Sequence, residues 1–510
     1  MPGRKTPVLL FALMACLGMA LSAQENSYKG IHQAESEYYS RISDSLAAAA
    51  TVSPGTPVTP AVPVTNAVPV APAAPLVLKS RTDGDPAFMV YGWHPYWAGA
   101  AAYPKYNYDV LTHIAYFSYE VDTATGSYTT LRGWDTTSIV SYAHQRGVKV
   151  MLTVTNFGSE RNTKILTDTV KQWTLINTVI AQLKARNGDG VNFDFESVPS
   201  AMKTNMVSFC RRAVRGIKAE LPLAEISLAT PAVNWSDGWD LGALAGICDY
   251  LIMMGYNYYW GGSSTAGPVA PLDGENYDVT RSIQEDYLDG GVPASKLLLG
   301  MPWYGYDWPV SSSARKATTT GTGTSKTYIT TLQMVLTYGK TFDNETSVPW
   351  TSYQNGTQWR QMWFEDSLSL LRKANHAKKK SLAGVGIWAL SYESGRPELW
   401  NGLKAVIAGT VSSDGNPALP GSGGSEILSV VPNPVSDRAL VSYVITRPGR
   451  MTLTIMDSGG RPVTLLTEGT VPPGIHSNTL DAEELAPGIY FCVLTTPGGR
   501  SVKKFAVTGK

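Results

Sequence analysis

The chain of 510 residues predicts an α/β protein in which eight strands alternate with helices and a small all-β domain follows. Three observations predict it. Eight short apolar runs recur from Met89 onward, separated by stretches of helical character such as 202–220 and 364–379. Most of these runs end in aromatic residues beside an amide or carbonyl partner. After a Gly/Ser/Pro-rich break the pattern changes to alternating strands divided by Gly and Pro turns. Regular β-α alternation of this length points to a parallel (β/α)8 TIM barrel, and the tail to a β-sandwich.

Length alone calls for more than one domain. Arg4 and Lys5 precede an apolar run from Val8 to Leu21 that ends in Ser22-Ala23-Gln24. These are the three parts of a secretory signal peptide, expected to be cleaved near Ala23. A polar, helix-like stretch follows to residue 50. Residues 51–77 hold Pro, Val, Thr and Ala without a charge, and are expected to be an extended spacer. The barrel is expected over 86–408.

Its strands are expected at Met89–Trp93, His113–Ser118, Lys149–Thr155, Gly190–Glu196, Glu225–Thr230, Tyr250–Tyr256, Lys296–Pro302 and Gly384–Leu390. The fourth organises the rest. Successive strand side chains point to opposite faces. Val191, Phe193 and Phe195 therefore form an apolar face for packing under helices, while Asn192, Asp194 and Glu196 share the other. Two close carboxylates do not both ionise freely, so one holds a proton near neutral pH. A held proton is what is needed to protonate a leaving glycosidic oxygen. In a barrel of this kind chemistry collects at the C-terminal strand ends, where Glu196 falls. Asp189, at the strand start, is expected to be structural.

The other strand ends supply Trp93 and Trp97, Trp235, Tyr256 with Asn257 and Trp260, Trp303, and Trp388. Rings with a polar edge clustered at one rim suit a carbohydrate cleft. Residues 306–362 form an extra segment before the eighth strand, expected to be a small α+β insertion, with Asp307, Trp308 and Trp350 as possible lining. Residues 409–425 are a linker. Over 426–510, runs at Leu440–Ile445, Met451–Met456, Pro462–Leu466, His476–Leu480, Ile489–Thr495 and Val502–Val507 predict the sandwich.

Composition narrows the partners. With 42 basic and 41 acidic residues, nothing calls for nucleic acid or an anionic membrane. Once the leader is set aside, Cys210, Cys248 and Cys492 remain, without metal-ligand spacing. Unpaired buried thiols are the simpler expectation, with a Cys210–Cys248 disulfide left open. No metal or other cofactor is expected. The 14 Trp and 26 Tyr against 11 Phe favour a sugar-stacking surface.

Asp189-Gly-Val-Asn192-Phe-Asp194-Phe-Glu196 resembles the DGxDxDxE signature of glycoside hydrolase family 18, the chitinases and endo-β-N-acetylglucosaminidases. Asn192 replaces the middle Asp, a form familiar in the family's spore-cortex-lytic branch. Met254-Gly-Tyr256-Asn257 is similar to its MxYD element, with Asn257 for Asp, and Trp388 to its eighth-strand Trp. Thr155-Asn156-Phe157-Gly158 stands where classical chitinases carry SxGG. The resemblance covers about residues 86–408. It implies retaining, substrate-assisted hydrolysis of β-1,4-linked N-acetylglucosamine polymers. In that scheme Glu196 is acid and base, Asp194 polarises the 2-acetamido group, Tyr256 bonds its carbonyl oxygen, and Asn192 and Asn257 support them.

Val431-Pro-Asn-Pro434, Asp457-Ser-Gly-Gly-Arg461, Ala486-Pro-Gly-Ile-Tyr490 and Lys503-Lys-Phe505 resemble the sorting domain of type IX secretion. That resemblance implies a secreted or cell-surface protein whose partner is the type IX machinery, and whose tail is typically removed. Two rival readings stay open: a silent chitin- or peptidoglycan-binding lectin of the same fold, and a cell-wall adhesin whose barrel only displays the tail.

Overall fold

The computed structural model describes residues 30–50, 88–411, 425–445, 449–471 and 474–508. The expected signal peptide, the 51–77 spacer and most of the 409–425 linker lie outside the described residues. The chain divides into two compact units, Met1–Pro72 and Ala73–Lys510. In the first, the described residues form one helix, α1 (Ile31–Ala50). No described helix is long and apolar enough to cross a membrane.

The second unit opens with seven parallel strands: β1 (Met89–Pro95), β2 (His113–Val121), β3 (Lys149–Phe157), β4 (Gly190–Glu196), β5 (Glu225–Pro231), β6 (Tyr250–Met254) and β7 (Leu297–Pro302). An inserted antiparallel sheet of β8 (Tyr304–Val310), β9 (Thr324–Thr327), β10 (Thr341–Asp343), β11 (Val348–Asn355) and β12 (Gln358–Trp363) follows. The last barrel strand, β13 (Gly384–Trp388), completes the set. Each barrel strand pairs in parallel with its neighbours; the order runs β1-β13-β7-β6-β5-β4-β3-β2, and β2 pairs with β1, so the barrel closes. All eight expected strands are present. The sixth and eighth stop short, at Met254 and Trp388; beyond the sixth the chain turns, with Asn257 at φ +62°.

Helices α2 (Ile139–His144), α3 (Ser159–Leu166), α4 (Thr169–Arg186), α5 (Lys203–Glu220), α6 (Leu241–Ile247), α7 (Tyr328–Tyr338), α8 (Ser367–Lys379) and α9 (Glu398–Ile407) accompany the strands. Their sequences explain them. Met206, Phe209, Cys210, Ala213 and Ile217 of α5 recur at helical spacing and are all buried. Asp168 caps α4, and Asp366 with Ser369 forms a capping box on α8. Phe209 then meets the apolar side of β4, 5.2 Å from the Phe193 ring and stacked on Phe195 at 5.3 Å. Cys210, Cys248 and Cys492 are buried free thiols.

The first two residues of the signature hold the foot of the barrel. A Cβ on Gly190 would lie 2.0 Å from the Glu225 carbonyl oxygen, so only glycine lets β4 and β5 approach at that point. Asp189 accepts from His144 Nε2 at 2.7 Å and from the Val150 amide at 2.6 Å, at the end of the strand opposite Glu196.

The C-terminal domain has seven described strands where six were expected: β14 (Glu426–Val431), β15 (Arg438–Ile445), β16 (Gly449–Asp457), β17 (Pro462–Val471), β18 (Gly474–Asp481), β19 (Gly488–Thr496) and β20 (Gly499–Val507). They form sheets β14-β15-β18 and β17-β16-β19-β20. The additional strand, β14, has an irregular register between Ile427 and Ser429 that breaks simple alternation.

Candidate active site

Strand β4 carries the candidate acids inward. Its register sets Asn192 level with Thr153 and Ser227, and Asp194 level with Thr155 and the small Ala229, which leaves room for a carboxylate. Asn192 is fully buried; its Oδ1 accepts from Trp93 Nε1 at 3.0 Å and its Nδ2 donates to Ser227 Oγ at 3.0 Å. Tyr91 Oη lies 3.3 Å from the same Ser227 hydroxyl. The amide at the middle of the signature is thus locked between neighbouring strands.

Asp194 is fully buried and Glu196 nearly so, with carboxylate oxygens of the two within 4.8 Å of one another. Burial first, and then the neighbouring Asp194, push the Glu196 carboxyl well above its ordinary range. The main chain of Glu196 is fixed from β3 and α3. Its carbonyl oxygen accepts from Asn162 Nδ2 at 2.6 Å and from the Gly158 amide at 3.0 Å. Asn156 Nδ2 in turn donates to Asn162 Oδ1 at 2.8 Å. The Thr155–Gly158 motif therefore holds the strand end that presents Glu196.

Tyr256 and Asn257 sit just beyond β6. Tyr304 Oη donates to Asn257 Oδ1 at 2.6 Å, and its ring meets that of Tyr256 edge-on at 6.1 Å. The sequence assigns Tyr304 no role in the site. It lies two residues past the end of β7, and the geometry links it to Asn257. Trp388 closes β13, and its ring lies 6.1 Å from Trp93, 6.3 Å from Trp97 and 5.0 Å from Phe117. Trp93, Trp97, Trp388 and Phe117 form one aromatic group.

The remaining aromatic expectations divide. Trp235 is 64% exposed and packs edge-on against Tyr277 at 4.3 Å. Trp260 is half-buried, and its carbonyl accepts from Trp308 Nε1 at 3.1 Å. Trp303 is a correction: it is buried with its ring 4.8 Å from Trp400 of α9, on the helix side of the barrel. The residue after an inward strand position points away from the barrel interior. In the insertion, Asp307 and Trp308 are also buried. Asp307 pairs with Arg360 at 2.8 Å and accepts from Tyr353 Oη at 2.9 Å; Trp350 stacks on Trp363 at 5.5 Å. Asp307 and Trp350 thus bond and stack within the inserted sheet, while Trp308 ties that sheet to Trp260 beyond β6.

Residues 88–393 match the model of the glycosyl hydrolases family 18. The chain belongs to that family. Residues 429–508 match the secretion system C-terminal sorting domain, which indicates type IX secretion to the cell surface or extracellular space.

Among family 18 relatives, the cortical fragment-lytic enzyme of Bacillus subtilis (strain 168) is 25% identical over 308 residues, covering 57% of this chain and 66% of the relative. Di-N-acetylchitobiase of Rattus norvegicus is 24% identical over 345 residues, covering 60% and 86%. The chain spans 59–66% of the length of several bacterial relatives. The fold matches a family 18 chitinase from Cycas revoluta, solved in complex with (GlcNAc)3, at a TM-score of 0.57. Identity there is 19%, with 62% of this chain and 99% of the chitinase covered.

Proposed function

We propose that the barrel hydrolyses β-1,4-linked N-acetylglucosamine polymers of the chitin or peptidoglycan type, with retention of configuration and with help from the substrate. The observation that carries this reading is the pair of buried carboxyls of Asp194 and Glu196, within 4.8 Å of one another at the C-terminal end of β4. There burial and then Asp194 raise the Glu196 carboxyl well above its ordinary range. Glu196 gives its proton to the bridging oxygen as the glycosidic bond breaks. The substrate's 2-acetamido carbonyl oxygen attacks the anomeric carbon and forms a cyclic oxazolinium ion, so no enzyme carboxylate becomes bonded to sugar. Glu196, now a carboxylate, takes a proton from the water that opens the ring.

Asp194 accepts from the acetamide N–H and stabilises its developing charge. Tyr256 donates to the acetamide oxygen. Asn192, anchored to Trp93 and Ser227, keeps the strand uncharged behind Asp194, and Asn257 is held ready for the sugar by Tyr304. Trp388 with Trp93 and Trp97 supplies the floor on which the ring is held. A signal peptide takes the chain across the inner membrane and the sorting domain takes it outward.

The test is release of fluorophore from 4-methylumbelliferyl chitobioside. Glu196→Gln removes the transferable proton while keeping the shape, and turnover is expected to vanish. Turnover retained in that variant overturns the assignment of the acid. Binding to chitin or peptidoglycan with no turnover in the unaltered chain would mark a lectin instead. Mass spectrometry of products from chitin, peptidoglycan and a glycoprotein, incubated in parallel, identifies the polymer.

A further inference from the structure

Strand β15 of the C-terminal domain has two faces, and the outward one is covered. Ala439, Val441, Tyr443 and Ile445 alternate inward and belong to the sandwich's own apolar core. Leu440 points the other way, where a strand of a small free-standing sandwich meets water. Yet Leu440 is only 5% exposed. Its neighbours belong to the barrel's insertion: Val335 of α7, Met362 of β12 and Phe364, with Met334 and Leu336 at the margin. The next outward residue, Ser442, is also buried.

Register explains the fit. Across the outer face, Leu440 stands level with Val431 and Thr479, and Ser442 level with Ser429 and Ser477. Small side chains thus surround one projecting leucine, a surface flat enough for a helix. Opposite it, the seam is bordered by Thr331, Leu332 and Val335 of α7 and by the Lys340–Asp366 ion pair, at 2.5 Å.

We propose that the insertion is the seat of the sorting domain. Leu440 plugs into the apolar patch of α7 and β12, and residues 425–508 ride on the barrel as one body with it. The occupant is this chain's own tail, chosen by the burial of an outward-facing leucine whose apolar cluster among the described residues is made by Val335, Met362 and Phe364. Loss of the tail would leave Val335 and Phe364 uncovered on the barrel.

Hydrogen exchange read by mass spectrometry on the full chain tests this. Leu440→Lys places a charge among the apolar side chains of the seam, where its desolvation opposes docking. It is expected to speed exchange in the peptide covering 328–338 by about tenfold, with β16 and β19 unchanged. Val335→Asp is the reciprocal arm and is expected to speed exchange in β15. If Leu440→Lys disturbs β16 and β19 as well, the sandwich itself has loosened and Val335→Asp alone decides. The proposal is overturned if each substitution alters exchange only within its own domain.

Discussion

Asn162 Nδ2 lies 2.6 Å from the carbonyl oxygen of Glu196, and it reaches there from a helix 34 residues earlier in the chain. The contact fixes the backbone, not the carboxyl, of the proposed acid. Asn162→Ala removes one hydrogen bond from that buried carbonyl and leaves the one from the Gly158 amide. We expect kcat on 4-methylumbelliferyl chitobioside to fall about tenfold with KM little changed, as when a net hydrogen bond of about 1–1.5 kcal/mol is lost from the transition state. An unchanged kcat would show that Gly158 holds the strand end unaided.

The pairing of Glu196 with Asp194 sets a pH dependence. A raised carboxyl keeps its proton to higher pH, so the general acid stays available further toward neutrality before the alkaline limb begins. Asp194→Asn removes the second of the two causes of the raised value and leaves burial in place. The Glu196 titration is therefore expected to move to lower pH in that variant. Infrared difference spectra of the protonated carboxyl band across the titration measure it, independently of activity. A titration that stays put would assign the shift to burial alone.

At the foot of the barrel, Glu225 accepts from His113 Nε2 at 2.8 Å and pairs with Lys149. Burial works against its charge, but the His113 and Lys149 hydrogen bonds and charges outweigh it and hold the carboxyl at about 2. Because the folded value lies below the unfolded one, the stabilisation is complete above the ordinary range of glutamate and disappears as pH falls toward 2. Glu225→Gln should cost roughly 2–3 kcal/mol at pH 7. The gap to the unaltered chain, followed by urea unfolding, closes between pH 4.5 and 2. A gap independent of pH would show that packing is responsible instead.

The apolar side of β4 makes a prediction about stability. Phe209→Ala removes the ring stacked on Phe195 and edge-on to Phe193, leaving a cavity under the strand that carries both acids. A loss of about 3–5 kcal/mol is expected in chemical unfolding. Gly190→Ala should do at least as much harm for a different reason, because its methyl meets the Glu225 backbone.

Much of this was legible beforehand because the signature obeys strand alternation so strictly. Phe193 and Phe195 face α5 while Asn192, Asp194 and Glu196 share the other side, as period two demands. The barrel strands were equally plain, each being a short apolar run bounded by turn residues. Reading failed just past the strand ends. Trp303 follows Pro302 by one residue, and period two there turns its ring toward Trp400. Asn162 escaped notice since a polar residue on a short helix has no distinguishing local pattern. For Asp307 and Trp308 the sequence offered no local pattern that separates cleft lining from packing, and it did not foretell their pairing with Arg360 and Trp260. Strand β14 was hidden by its bulge.

Tyr304 has a practical meaning for anyone recombining these enzymes. It is the first residue of the inserted sheet, yet its hydroxyl steers Asn257 of the barrel mouth. A chimera that swaps the whole insertion from Tyr304 to Trp363 for a foreign one would delete the hydroxyl that holds Asn257, a residue of the proposed sugar site, without touching any signature residue. Crossover points chosen after Val310 would keep that hydroxyl with its native scaffold.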